Sequence, residues 1–311
     1  MRAMWGTAAT RGLLLGVGVL VANFAVPRLL PGTPLTAPEL APLPSGARQR
    51  IQAEYLLDRP WTEQFAHYLR SLARGDLGRS LVSFRPVTQV VGERVPWTVL
   101  LVLTSWTGAV VLGALLGTLS AVTERGFRRR LWLSALVFVG SLPEFLVASL
   151  LILTFSVWLP LLPASGAPHP PYTWAQVARH VFLPVVTLVV SATPTFALLS
   201  RDLVGAVLRE PFLLAVRAKG ACSWGVLRHA WRCVLPTFLT LAGLRLAGLV
   251  TGAAAVERVF GYPGMGSLLF DAVLQRDYPV IQGVFLLGSL LVLTASTLLE
   301  GVARWLDPRV R

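Results

Sequence analysis

Six apolar stretches divide the chain, at about 12–30, 97–122, 131–159, 181–200, 235–256 and 280–302. All but the shortest reach the roughly 20 residues that a helix needs to cross a bilayer. The polar residues collect between them. The pattern predicts an all-α, polytopic transmembrane bundle of six spans. The first stretch is the weakest, because Asn23 and Pro27-Arg28 interrupt it. Arg2 and Arg11 before a short apolar core also fit a cleaved signal peptide. Five further spans and the lack of a clear small-x-small site before Pro27 favour a retained helix. The expected layout is an N-terminal membrane helix at 1–30, an extracytoplasmic cap at 31–96, a five-span core at 97–303 with an inner loop at 201–235, and a tail at 304–311.

Inside the cap, Pro31-Gly32-Thr33-Pro34 to Pro44-Ser45-Gly46 reads as turns. Arg48 to Arg74 reads as helical on either side of Pro60, and Gly75-Asp76-Leu77-Gly78-Arg79-Ser80 as a turn. At under 70 residues this segment is small for an independent catalytic domain.

Composition agrees with a membrane protein: of 311 residues 54% are hydrophobic and 14% charged, against about 25% charged in soluble domains. The net charge of +13 invites a nucleic-acid reading, but its placement answers that. With the amino terminus inside, the inner segments hold 15 basic residues in 63 positions and the outer ones 12 in 115. That is the positive-inside bias of an inner-membrane protein with both termini cytoplasmic. The cluster Arg125, Arg128–Arg130 reads as a topology anchor meeting anionic lipid. No nucleic acid is expected.

Candidate chemistry is sparse. Lys219 is the only lysine and is followed by Gly220, so the Gly-Lys-Ser/Thr of a phosphate-binding loop is missing. The four histidines are scattered, and Cys222 and Cys233 lie eleven apart, unsuited to zinc or a redox pair. No metal site, bound cofactor or catalytic cluster is expected, and the chain does not read as an enzyme.

Two ionisable residues lie near span centres: Glu144, after Pro143, and Arg245. A charge at that depth costs at least about 2.5 kcal/mol, so it faces a bundle interior, a partner or a watery path. Both are candidates for a translocation route, as a pair or separately. Small residues recur at Gly12/Gly16, Gly113/Gly117 and Gly248/Gly252, a spacing that lets helices pack closely in lipid. Glu257 opens a tight turn with Pro263, Gly264 and Gly266, read as architectural.

The loop 201–235 carries helix punctuation. Pro211 suits the first helical position, after Glu210. Phe212, Leu213 and Val216 form a short apolar face, Arg217 and Lys219 a basic rim, and Gly220 a stop. Such a helix is marginal alone and is expected to dock in a groove of another protein or to lie on lipid.

Several segments, in order, carry a resemblance: Arg28-Leu29-Leu30-Pro31-Gly32-Thr33-Pro34, Leu57-Asp58-Arg59-Pro60, Arg74 to Ser80, Arg94-Val95-Pro96, Arg217-Ala218-Lys219-Gly220 with Arg228-His229-Ala230 and Pro236, Val256-Glu257, Pro263 to Gly266, and Arg276-Asp277-Tyr278-Pro279. They resemble the membrane permeases of ATP-binding-cassette importers, dipeptide/oligopeptide/nickel branch. The resemblance implies that the 211–220 helix is a coupling helix seated on a separate ATPase. It further implies two such ATPases hydrolysing ATP with magnesium, a second permease and an extracytoplasmic solute-binding protein. Peptide, nickel-chelate and glutathione cargoes all fit. Leu214 replaces the loop motif's glutamate and Val216 its second alanine.

Overall fold

The computed structural model describes residues 2–29, 52–53, 55–56, 58–123, 126–166 and 173–306. The turn-rich 31–46 stretch, Arg125 and the chain after 306 lie outside them. Among the described residues the only strand-like pairing is one isolated bridge, Arg79 to Pro86; the rest is helix and turn.

The helices, in order, are α1 (Arg2–Leu29), α2 (Trp61–Ala73), α3 (Val87–Gly92), α4 (Val95–Val122), α5 (Phe127–Ser141), α6 (Glu144–Ile152, continued by a π-helical stretch, Leu153–Trp158), α7 (Trp174–Val207), α8 (Pro211–Ala218), α9 (Ser223–Leu244), α10 (Leu246–Val259), α11 (Met265–Leu274) and α12 (Tyr278–Leu306). The all-α expectation holds. The count of six is not established. Among the described residues three helices qualify singly by length and apolarity, and two bent pairs would each make one more span. The third predicted span is not one kinked helix: α5 and the helix opening at Glu144 meet at 95°. Leu142, extended at φ −74 and ψ 131, ends α5, and Pro143 precedes the next helix. The fifth divides at Arg245, with a 43° bend between α9 and α10.

The chain forms two units. The first combines residues 1–97 with 267–290. In it Asn23 of α1 donates to the Tyr68 hydroxyl (3.0 Å) and to the Gln282 carbonyl (3.0 Å). Phe24 meets Phe65 edge-on at 5.0 Å, and Arg28 lies 3.7 Å over the Phe24 ring while donating to Gln64. Of the segment expected to be helical from Arg48, residues 48–51, 54 and 57 lie outside the described residues; Gln52 and Ala53 are helical, Leu56 takes φ +51, Pro60 is extended, and α2 follows from Trp61. The Gly75–Ser80 turn is present, with Gly75 and Gly78 at positive φ and the Asp76 carboxylate accepting from Gly78 N–H at 2.8 Å.

The second unit holds 98–266 and 291–311. Its centre is α7, against which α5, α6, α9 and α10 pack. Pro184 and Pro194 sit buried inside this continuous helix. Phe196, Val204, Val234, Phe238, Ala109 and Val110 form one core from α4, α7 and α9. Gly113 and Gly117 let α4 close on α7. A Cβ on Gly113 would strike Phe196, and one on Gly117 the Ala197 carbonyl and Ser200 hydroxyl. Ser200 donates to the Gly113 carbonyl at 2.9 Å, so the close approach carries a hydrogen bond in a medium without competing water. Gly16 and Gly248, by contrast, have open space where a side chain would stand.

Candidate functional site

Three places in the second unit bring the predicted residues into view. The first is α8. Glu210 caps the helix, Pro211 opens it, and Gly220 at φ +83 closes it. Ala221 N–H reaches the Val216 carbonyl (3.3 Å) and Gly220 N–H the Arg217 carbonyl (2.9 Å), the two bonds of a Schellman close. The apolar face is divided between two surroundings. Leu213 is 1% exposed and packs with Val226 and Ala230 of α9, flanked by Val216 and Ala221. Phe212 is 45% exposed, and Arg217, Ala218 and Lys219 are exposed. Leu213 thus pins α8 to its own chain. Val226 and Ala230, one turn apart on α9, present a socket that its side chain fills.

Beside α8 opens a cavity of about 1120 Å³ lined by Arg201, Asp202, Arg209, Arg217, Trp224 and the end of α4 at Val122, among others. The Arg201 guanidinium forks onto Asp202 at 2.8 and 2.6 Å. Trp224, 73% exposed, was not predicted; a tryptophan two residues into a helix after a glycine stop has no distinctive signal.

The second place is the pair of helix breaks. Glu144 is the first residue of α6, half-buried, with no hydrogen bond or ion pair among the described residues; its Oε1 lies 3.0 Å from where a Cβ on Gly252 of α10 would be. Arg245 is exposed at the junction of α9 and α10. The two do not pair with each other. Each sits at a break rather than within a continuous helix.

The third is the turn after α10. Glu257 is wholly buried. Its carboxylate accepts from the Thr98 hydroxyl (2.7 Å) and from Gly266 N–H (2.6 Å), and Thr98 Oγ1 accepts from Met265 N–H (2.7 Å). Side chains on Gly264 or Gly266 would strike this carboxylate, so both glycines are required by contact. Burial, then the nearby Glu257 charge, pushes the Tyr262 phenol up. Thr98, remote by 159 residues, could not be found from sequence. A matching clasp lies in the first unit, where buried Asp277 accepts from Ser80 Oγ (2.5 Å) and Leu81 N–H (3.1 Å). Burial raises its carboxyl above the usual range while these bonds pull it back.

Residues 109–311 match the family described as binding-protein-dependent transport system inner membrane component. The chain is 36% identical over 294 residues to the glutathione transport system permease protein GsiC of Pectobacterium atrosepticum, covering 94% of each. It is 35% identical over 299 residues to GsiC of Escherichia coli K12 (95% of this chain, 94% of that one), and 36% over 303 to GsiC of Salmonella typhimurium (96% and 94%). Its fold resembles a chain of the inward-facing MetNI methionine ABC transporter, with TM-score 0.56 and 21% identity over 71% of this chain and 97% of that one. The chain is a member of the binding-protein-dependent transport system inner membrane component family, the permease component of an ABC importer.

Proposed function

We propose that this permease passes peptide-sized solutes across the cytoplasmic membrane by alternating access, and that its cargo class is a short peptide, with a glutathione-like tripeptide first. The names of relatives 35–36% identical over nearly the whole chain favour that choice over a nickel chelate. The chain supplies no ATP site of its own. Two cytoplasmic ATPases supply the energy, seated on α8 through Phe212, Val216, Arg217, Ala218, Lys219 and the Glu210–Gly220 frame. A second, homologous permease completes the route, and both termini lie in the cytoplasm. An external solute-binding protein meets the 31–96 cap and the turn at 257–266, and Glu144 and Arg245 face the solute's path.

One observation carries this reading. The 211–218 helix is fixed from behind by Leu213 and presents an aromatic ring and a basic rim in front. A rigid helix so mounted transmits a push into α9, whereas a lipid-bound helix needs no internal pin. The test is co-expression with the neighbouring ATPase genes and reconstitution in liposomes. ATP-dependent, vanadate-sensitive uptake of glutathione or tri-alanine is expected, together with cross-links from Phe212→Cys to the ATPase. Uptake that persists without any ATPase would overturn it.

A further inference from the structure

Glu144 and Arg245 are of opposite sign, yet neither finds a partner among the described residues. Their placement is more specific than two isolated polar groups. Arg245 stands at the head of α10 with helical backbone angles, φ −78 and ψ −11. Gly248 and Gly252 follow at i+3 and i+7, the positions that share one face of a helix. Gly248 has open space above its backbone, and Gly252 lies under the Glu144 carboxylate. The face therefore runs from a cation, over bare backbone, to an anion. At 1.5 Å per residue, the seven steps from Arg245 to Gly252 span about 10 Å. An extended peptide covers about 3.3–3.6 Å per residue, so that interval matches roughly three residues.

Glu144 occupies the first turn of α6, where the positive end of the helix dipole favours a carboxylate.

Building on the peptide-permease reading above, we propose that Glu144 and Arg245 form a two-ended receptor within the translocation route, Glu144 holding the ammonium and Arg245 the carboxylate of a zwitterionic peptide about three residues long. The bare backbone of Gly248 lets the peptide lie against α10. Solutes of this length with both ends free are engaged at both sites, and a capped peptide at one.

The assembled transporter, with both permeases, the ATPases and the binding protein, is reconstituted in liposomes. Uptake is measured for tri-alanine, N-acetyl-tri-alanine and tri-alanine amide, each as the ratio of variant to wild type so that selection by the binding protein cancels. For Glu144→Gln, uptake of tri-alanine and of its amide should fall about tenfold or more, while the N-acetyl form stays within about twofold. For Arg245→Gln, tri-alanine and the N-acetyl form should fall, while the amide is spared. Glu144→Asp, which keeps the charge, should recover most of the tri-alanine uptake. Equal factors for all three peptides, or no change for any, would overturn the proposal. So would loss of the second permease from the purified E144Q or R245Q assembly, which would assign the charges to a subunit contact. A wild-type assembly that imports neither tri-alanine nor glutathione would overturn the peptide reading itself, and this inference with it.

Discussion

Truncating Leu213 to alanine separates the two faces of α8. The side chain is 1% exposed, between Val226 and Ala230, and burying a leucine contributes about 2 kcal/mol. An eight-residue helix has little stability of its own, so this contact supplies much of what holds it in place. Leucine-to-alanine changes at buried sites cost about 2–5 kcal/mol once the cavity is included. Even about 2 kcal/mol shifts the docked-to-undocked ratio roughly 30-fold. Leu213→Ala should therefore lower the thermal midpoint of the purified permease and reduce solute imported per ATP hydrolysed. Phe212→Ala, changing a ring that is 45% exposed, should leave the midpoint within about a degree and weaken ATPase capture instead. The assays are thermal unfolding of the permease in detergent, pull-down of the ATPase, and uptake against phosphate release in liposomes. An unchanged midpoint for L213A together with a lowered one for F212A would refute the pinning argument, since the faces would then be reversed.

Four other outcomes follow from geometry of the same kind. Gly117→Ala places a methyl against the Ala197 carbonyl and Ser200 hydroxyl; overpacking should cost about 1–3 kcal/mol, read as a lower midpoint and poorer expression. Glu257→Ala leaves the Thr98 hydroxyl and Gly266 N–H without their acceptor, about 1–3 kcal/mol for each buried donor, and should expose the 260–266 turn to proteolysis. Gly220→Ala forces an L side chain to φ +83, about 1–2 kcal/mol, and should lower uptake while leaving membrane insertion intact. Asp277 supplies a pH test. Its folded pKa is raised above 3.8 by burial, so the unfolded chain ionises first as pH rises. Its contribution is complete below about pH 3.8 and is lost as pH climbs through the higher folded value. Relative to Asp277→Asn, the wild type should therefore gain stability on acidification, and parallel midpoint curves for the two proteins would refute the assignment.

Local chemistry announced some boundaries and not others. Pro211 and Gly220 bracket α8 because each acts through its own backbone: one gives up an N–H that needs no partner, the other accepts a positive φ. Prolines in the spans show the limit of that logic. Leu142 leaves the helical region before Pro143 and α5 ends there, as the steric rule for a residue preceding proline favours. Yet Leu183, Thr193 and Leu235 precede prolines too, and their helices run on through buried Pro184, Pro194 and Pro236. The difference is tertiary. Pro194 sits against Gly140 near the end of α5, with its Cβ 3.0 Å from where a Cβ on Gly140 would stand, whereas Pro143 is exposed. The bend at Arg245 has no proline at all, so no reading of the sequence could place it. Leu213 was legible as apolar, but its direction depends on α9, whose Val226 and Ala230 form the socket only after folding.

The charges divide in the same way, and the division bears on function. Glu257 and Asp277 are both buried, and each is met by a hydroxyl and a backbone N–H drawn from distant sequence, Thr98 with Gly266 and Ser80 with Leu81. A chain that satisfies its structural carboxylates so fully follows the general rule for buried polar groups. Glu144, half-buried, and Arg245, exposed, stand outside that pattern, both at helix breaks and both without a partner among the described residues. An unsatisfied charge in lipid is a standing cost, and the fold shows that it can avoid such a cost elsewhere. The proposed receptor meets that requirement from outside the chain: Glu144 of α6, lying over Gly252, and Arg245 at the head of α10 would call for a solute that carries both charges.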